Sequence, residues 1–255
     1  MLDTERSTAD TPPVRHELGG IVYLNFFERF FTTVRPSSYF EIGVSMGNSL
    51  RHARCASVAV DPRIKAEGTD FIGEKPALHL FQMKSDDFFA TYDLRNFLPQ
   101  GVDAAFLDGM HQFEFLLRDF INTEKYVHRD SVVMLHDCLP INAEMTERTP
   151  RQTLRKDVKL ANFWTGDVWK LVPILRKYRP DLGLTVLDCP PTGLVLVQGF
   201  GSGSTALVDN YDKIVADYID VELDDESLVT FRNGLEITSS RQFVRQLKAT
   251  RGEDG

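Results

Sequence analysis

The fifteen residues YFEIGVSMGNSLRHA, Tyr39 to Ala53, hold a short apolar run, an acid at Glu41, and glycines at 43 and 47. The expected form is a buried strand that stops at a glycine turn and passes into a helical segment. Small residues there let the backbone approach a ligand, and amides at the following helix start face it. The spacing is not that of the G-x-G-x-x-G dinucleotide turn, because Gly43 and Gly47 stand alone and Glu41 precedes them. A carboxylate in that crevice repels a pyrophosphate and attracts a cation.

Outward from this turn the chain alternates. Before it, GGIVYLNFFERFFTTVRP (19–36) places Ile21, Leu24, Phe27, Phe31 and Val34 at helical spacing, with Pro36 as a stop. After it, SVAVD, ALHLFQM, VDAAFLDG and SVVMLHD read as strands, and QFEFLLRDFINTEKYV (112–127) as a long helix. A further helix is expected in GDVWKLVPILRKYRP (166–180), with Pro173 in its first turn or at a kink. LTVLDCPPTGLVLVQG (184–199) is two apolar runs around Pro-Pro-Thr-Gly, a hairpin. The fold class is therefore α/β: a doubly wound, mostly parallel, seven-stranded sheet ending in an antiparallel hairpin.

Three acids follow the early strands. Glu41 closes the first; Asp61, twenty residues on, closes the second and is placed for ribose hydroxyls. Ser85 and Asp86 follow the third, where an adenine would lie. Together with Gly43, Gly47 and Ser49 they describe a nucleoside with a positive centre and no phosphate, which S-adenosylmethionine fits. Asp61 as a simple helix cap is the plainer alternative.

With these residues in place the chain resembles the class I S-adenosylmethionine-dependent methyltransferases. FEIGVSMGNS is similar to their E-x-G-x-x-x-G-x-S motif and VAVDP to their second motif, and the hairpin is the family's sheet ending. LDGMHQFEFLLRDF followed by VVMLHDC, and the later WTGDVWKLV, resemble a subgroup of small-molecule O-methyltransferases, many acting on sugar or glycoside hydroxyls. The resemblance spans residues 36 to 200. It implies the Rossmann-like methyltransferase fold, a hydroxylated small-molecule acceptor, and a homodimer.

An alcohol needs a general base or a metal to lose its proton at neutral pH. Asp108, His111, His136 and Asp137 all fall at the ends of the fourth and fifth strands. Two assignments compete. In one, His111 or His136 takes the proton, with Asp108 beside it. In the other, Asp108, His136 and Asp137 hold a divalent ion, Mg2+ in related sugar methyltransferases. His136 stands where those enzymes carry an acid, and imidazole is a poor magnesium ligand. Asp108 is also counted with the cofactor residues.

The 255 residues, 42% hydrophobic and 26% charged, suit one soluble domain. Residues 1–17 are expected as a flexible tail, 18–200 as the catalytic domain with a lid-like loop at 138–164, and 201–255 as an extension packed on it. The basic residues of that loop (Arg148, Arg151, Arg155, Lys156, Lys159) read as a solvated face, and Asp167 as a helix cap or an acceptor residue. A net charge of −8 argues against nucleic acid. No apolar run suits a bilayer and no signal peptide is read, so a cytoplasmic protein is expected, its three cysteines reduced. A nicotinamide oxidoreductase and a non-catalytic binding subunit are the competing readings; the missing dinucleotide turn counts against the first, and the His-Asp pair against the second.

Overall fold

The computed structural model describes residues 15–201 and 203–250. Its strands are β1 (Ser38–Ile42), β2 (Ala56–Val60), β3 (Leu78–Phe81), β4 (Val102–Leu107), β5 (Val127–His136), β6 (Gly183–Leu187), β7 (Leu194–Gln198) and β8 (Ile237–Thr238). They form one sheet in the order β3-β2-β1-β4-β5-β7-β6-β8. The first five are parallel, and β7 runs antiparallel between β5 and β6. The expected doubly wound sheet with its terminal hairpin is thus present. It has eight strands rather than seven, because the two-residue β8 adds beside β6 from a region with no strand-like pattern.

Helices cover both faces: α1 (Tyr23–Val34), α2 (Ser85–Thr91), α3 (Phe113–Glu124), α4 (Leu171–Tyr178), α5 (Ala206–Asp209), α6 (Tyr211–Tyr218), α7 (Asp225–Asn233) and α8 (Ser240–Thr250). Successive residues of a strand point to opposite faces. Phe40 and Ile42 of β1 join Phe88, Leu117, Phe120 and Leu175 in the core under α2, α3 and α4. Tyr39 instead joins Phe26, Phe27, Phe30 and Phe31 of α1 and Val244 of α8. Each fully buried Phe contributes about 1.5–3 kcal/mol, so the Phe-rich face of α1 is a principal anchor of this layer. Pro173 is the third residue of α4, where its missing N–H costs no helical hydrogen bond.

Between β1 and β2 there is only a single 3-10 turn, Leu50–His52, because few residues separate the glycine turn from the next strand. The first fourteen residues of the expected tail lie outside the described residues. The expectation fails for its end: the Arg15 guanidinium binds both oxygens of Asp157 at 2.6 and 2.5 Å, and the His16 amide bonds Ile141. Residues 138–164 carry 3-10 turns at Ala143–Thr146, Gln152–Leu154 and Val158–Leu160, with Asn142, Met145 and Asp157 buried and Leu154 and Val158 exposed.

Candidate active site

A cavity of about 790 Å³ opens at the carboxyl ends of the central strands. Gly43, Ser45, Ser49 and Asp61 line one part of it, Ser85, Asp86, Phe115 and Asp119 another, and Tyr23, Asp108 and His111 a third. The carboxyl edge of β1, β2 and β4 is where such sheets bind ligands.

Glu41 does not line this cavity. The strand's alternation turns it toward α1, where it is fully buried. Its carboxylate oxygens accept hydrogen bonds from Ser49 Oγ at 2.6 Å and Tyr39 Oη at 2.7 Å. Burial pushes this carboxyl up to about 8, against the pull of those two donors. The expectation that Glu41 draws a cation into the crevice is corrected: it braces the turn from beneath. Asp61 and Asp108 are the carboxylates that face the cavity beside the turn.

The glycines are required by protein neighbours more than by a ligand. Gly43 has φ +97°, and a Cβ there would sit 1.9 Å from the Asp108 carbonyl oxygen. Gly47 abuts Phe71 and is not part of the lining. Asp61 accepts the Ser45 amide at 2.8 Å on one oxygen and the Arg63 amide at 2.6 Å on the other. It therefore holds the turn in shape, and each oxygen keeps a lone pair for a hydroxyl in the cavity.

Asp86, expected at an adenine edge, is held by a bidentate ion pair with Arg118 at 2.9 and 2.7 Å. Asp119, one helical position on, is buried, and its Oδ1 has no hydrogen-bond partner. Burial pushes its carboxyl up to about 7, the neighbouring Ser85 hydroxyl opposing. Sequence reasoning gave Asp119 no role, since one acid on an amphipathic helix carries no sign of its depth.

The four residues of the β4 and β5 ends do meet. His111 Nε2 lies 3.4 Å from Asp108 Oδ1, and its Nδ1 3.4 Å from Asp137 Oδ2. His136 Nδ1 lies 3.4 Å from Asp108 and 3.3 Å from Asp137, without hydrogen-bond geometry. Asp137 adopts φ +61°, a conformation Asp tolerates better than most residues, and also accepts from Thr192 Oγ1. Burial disfavours charge throughout, yet the pairing outweighs it. Asp108 is held below the usual carboxylate range by His136 and His111; Asp108 and Asp137 carry His111 up to about 9 and raise His136 as well.

The two histidines are not equivalent. His136 is buried beneath Tyr23, ring centroids 4.3 Å apart, and does not line the cavity; His111 does. His111 is therefore the imidazole open to the cavity. Tyr23, read from sequence only as part of a core helix, reaches the lining too. For a metal, Asp108, His111 and Asp137 each offer a ligand atom within 4.8 Å of the others, so His111 takes the place expected for His136.

Residues 40–138, which contain the turn, Asp61 and this cluster, match the family model of a methyltransferase domain. Among solved structures, the cofactor-bound Rv0187 from MTB is 12% identical, over 73% of this chain and 85% of its own, with a TM-score of 0.50. The O-methyltransferase from Bacillus cereus in complex with SAH is 12% identical, over 75% and 83%, with a TM-score of 0.48. The SAH-bound Podospora anserina methyltransferase PaMTH1 is 10% identical, over 69% and 77%, with a TM-score of 0.45. At such identities the likeness is one of fold. No curated protein sequence matches the chain.

The segment that follows residues 40–138 completes the site. The Trp164 carbonyl lies 2.6 Å from His111 Nδ1, and the two rings sit 5.1 Å apart. Asp167 stands at the N-cap position of the turn Val168–Lys170, but its side chain makes no capping bond there. It is buried and accepts the Phe113 amide at the start of α3 (2.9 Å), Arg148 (2.5 Å) and Lys170 (2.8 Å). Arg148 also grips Glu114, at 2.6 and 3.1 Å, so it clamps the segment to α3. Arg155 is buried and donates to the Ala161 carbonyl at 2.9 Å. The expected solvated basic face is thus corrected for Arg148 and Arg155. No helix among the described residues is long and apolar enough to cross a membrane.

Proposed function

We propose that the protein transfers the methyl group of S-adenosylmethionine to a hydroxyl of a sugar, glycoside or similar small metabolite. The observation that carries this reading is a single cavity joining the glycine turn and Asp61 to Asp108 and His111. A donor nucleoside at the turn and a hydroxyl at the imidazole then share one space. Asp61 and Asp108 supply the negative potential that a sulfonium and an ammonium favour.

In-line displacement forms the acceptor O–CH3 bond as the CH3–S bond breaks, and the sulfonium becomes a neutral thioether. Most of the advantage is alignment of oxygen, carbon and sulfur. The hydroxyl proton passes to His111 Nε2. With Nδ1–H donated to the Trp164 carbonyl, the neutral tautomer leaves Nε2 as the acceptor. In the free protein His111 rises to about 9, which keeps it protonated at neutral pH. A sulfonium ~5 Å away at an effective dielectric of ~20 opposes that charge by about 3 kcal/mol, roughly two pKa units. The donor's own charge therefore brings the base into its working range.

A divalent ion is the other means of acidifying the hydroxyl. Asp108, His111 and Asp137 would hold it, and when bound it would lower the pKa of a coordinated alcohol. The imidazole in that set suits iron, nickel or zinc better than magnesium.

Calorimetry with S-adenosylhomocysteine tests the donor: micromolar binding weakened by Asp61→Ala is expected, and no binding overturns the reading. A screen over polyhydroxylated acceptors with mass-spectrometric detection tests the transfer. Activity that survives chelation assigns proton removal to His111, and activity that collapses assigns it to an ion.

A further inference from the structure

We infer that Arg15 is a positioning residue: through a buried chain of hydrogen bonds it holds the Trp164 segment against His111. The inference goes beyond the proposed reaction and rests on it only for the role given to His111.

The Arg15 guanidinium meets Asp157 with two nitrogens, Nε at 2.6 Å from Oδ2 and Nη2 at 2.5 Å from Oδ1. A fork of this kind fixes orientation as well as distance. The Asp157 side chain is 1% exposed, and Arg15 is the only cation paired with it among the described residues. A carboxylate buried that deeply is costly without its counter-charge.

From Asp157 the bonds run inward. Asp157 Oδ2 also accepts Asn142 Nδ2 at 3.4 Å, and Asn142 Oδ1 accepts the Met145 amide at 3.0 Å. The Met145 carbonyl takes three donors at 3.0 Å: the Thr165 amide, the Gly166 amide and Thr165 Oγ1. These two residues follow Trp164, whose carbonyl meets His111 Nδ1. Asn142, Met145, Asp157 and Thr165 are all buried, so water does not readily replace a bond lost there. His16 adds a second tie to the same turn. Its amide donates to the Ile141 carbonyl at 2.8 Å, and the Ile141 amide meets Met145 Sδ at 3.1 Å.

The segment needs such ties. Residues 138–164 contain 3-10 turns but no α-helix or strand, and Leu154 and Val158 on its outer side are exposed. Segments with few buried apolar contacts open locally at low cost. Arg148 clamps this one to α3 from one side, and Arg15 clamps it from the side of Asn142. Once the Trp164 carbonyl moves away, nothing holds the His111 proton on Nδ1, and Nε2 is no longer fixed as the free acceptor.

The test is amide hydrogen exchange, read residue by residue by NMR, on the full chain as wild type, Arg15→Ala and Arg15→Lys. In Arg15→Ala the Thr165 and Gly166 amides are expected to exchange at least about tenfold faster, while those of β1 and β4 stay within about twofold. Arg15→Lys keeps the charge but not the fork, and part of the protection returns. On an acceptor that the wild type methylates, kcat of Arg15→Ala falls at least about fivefold. Its calorimetric affinity for S-adenosylhomocysteine stays within about twofold, because Gly43 and Asp61 lie apart from the segment. Unchanged Thr165 and Gly166 exchange in Arg15→Ala overturns the inference. So does an equal acceleration across β1 and β4, which marks a general loss of stability, or no recovery in Arg15→Lys. A wild type that binds no S-adenosylhomocysteine, with the exchange pattern as expected, overturns the donor reading and leaves the Arg15 network standing.

Discussion

The Trp164 carbonyl oxygen and His111 Nδ1, 2.6 Å apart, join residues 53 positions apart in the chain and fix which nitrogen of the imidazole faces Asp108. Gly166 secures that contact. It has φ +57°, and a Cβ there would fall 1.6 Å from the His111 carbonyl oxygen. Gly166→Ala must therefore move the Trp164 segment off His111. Turnover is expected to fall at least tenfold while S-adenosylhomocysteine affinity stays within about threefold, because the glycine turn and Asp61 are untouched. Steady-state kinetics beside calorimetry measures the split; an equal loss in both would place Gly166 in global folding instead.

His111 itself should show the electrostatic coupling directly. Its pKa is raised to about 9 by Asp108 and Asp137 against burial. A bound cation lowers it, whereas the neutral thioether product does not. In a histidine NMR titration the His111 pKa is expected to drop by one unit or more with a positively charged donor analogue such as sinefungin, and by much less with S-adenosylhomocysteine. Equal values in the two complexes would mean that the ligand's charge lies far from the imidazole. His111→Ala is expected to lose about 10²–10⁴-fold in turnover, the usual span for a general base.

The sheet was legible because its strands are apolar runs closed by Gly43, Asp61 and Asp108, and because the hairpin around Pro190 and Pro191 has no helical alternative. The direction of a strand-end side chain was not. Glu41 reads as a crevice acid, yet its parity with Tyr39 sends it under α1, and only the packing of the Phe-rich helix decides which parity faces inward. Asp108 and His111 were found from their place after a strand. The roles of Trp164, Gly166 and Arg148 were not: WTGDVWKLV stood out only as a resemblance, and the partners of these residues on the β4–α3 connection and on α3 are contacts of folding. β8 was missed for a simpler reason: two residues are too few to show alternation.

Asp167 gives a stability test for that distant clamp. Its buried carboxylate is shared by Arg148 and by Lys170, whose side chain is 0% exposed. Asp167→Asn keeps an oxygen for the Phe113 amide but removes the charge. Leaving a buried ammonium without its counter-charge costs up to about 3–5 kcal/mol, so the urea midpoint should fall accordingly. Arg148→Ala removes the more exposed partner and should cost less, about 1–2 kcal/mol, with the larger effect on turnover because it frees the Trp164 segment. A neutral Asp167→Asn would show that the Ile219 carbonyl, which Lys170 already reaches at 3.2 Å, is partner enough for the ammonium.

The stability of the ligand-free protein should fall as pH rises from about 4 to 9. Burial raises Glu41 from its ordinary 4.5 to about 8 and Asp119 from 3.8 to about 7. Between each ordinary value and its raised one the folded state holds a proton that the unfolded state has released, so the slope of stability with pH is negative there. His111, raised from 6.5 to about 9, has the same sign: its contribution is complete below 6.5 and is lost as pH climbs through 9. Asp108 is depressed, so its contribution is present above 3.8 and lost only in stronger acid, outside this window. Urea unfolding at pH 5 and pH 8.5 measures the difference. Glu41→Gln, which keeps an acceptor for Ser49 or Tyr39 without a titrating proton, should flatten the curve between 4.5 and 8 and leave the part due to His111 above it. A slope unaltered by Glu41→Gln would mean that the carboxyl titrates normally under the turn and that Tyr39 and Ser49 hold it as a carboxylate.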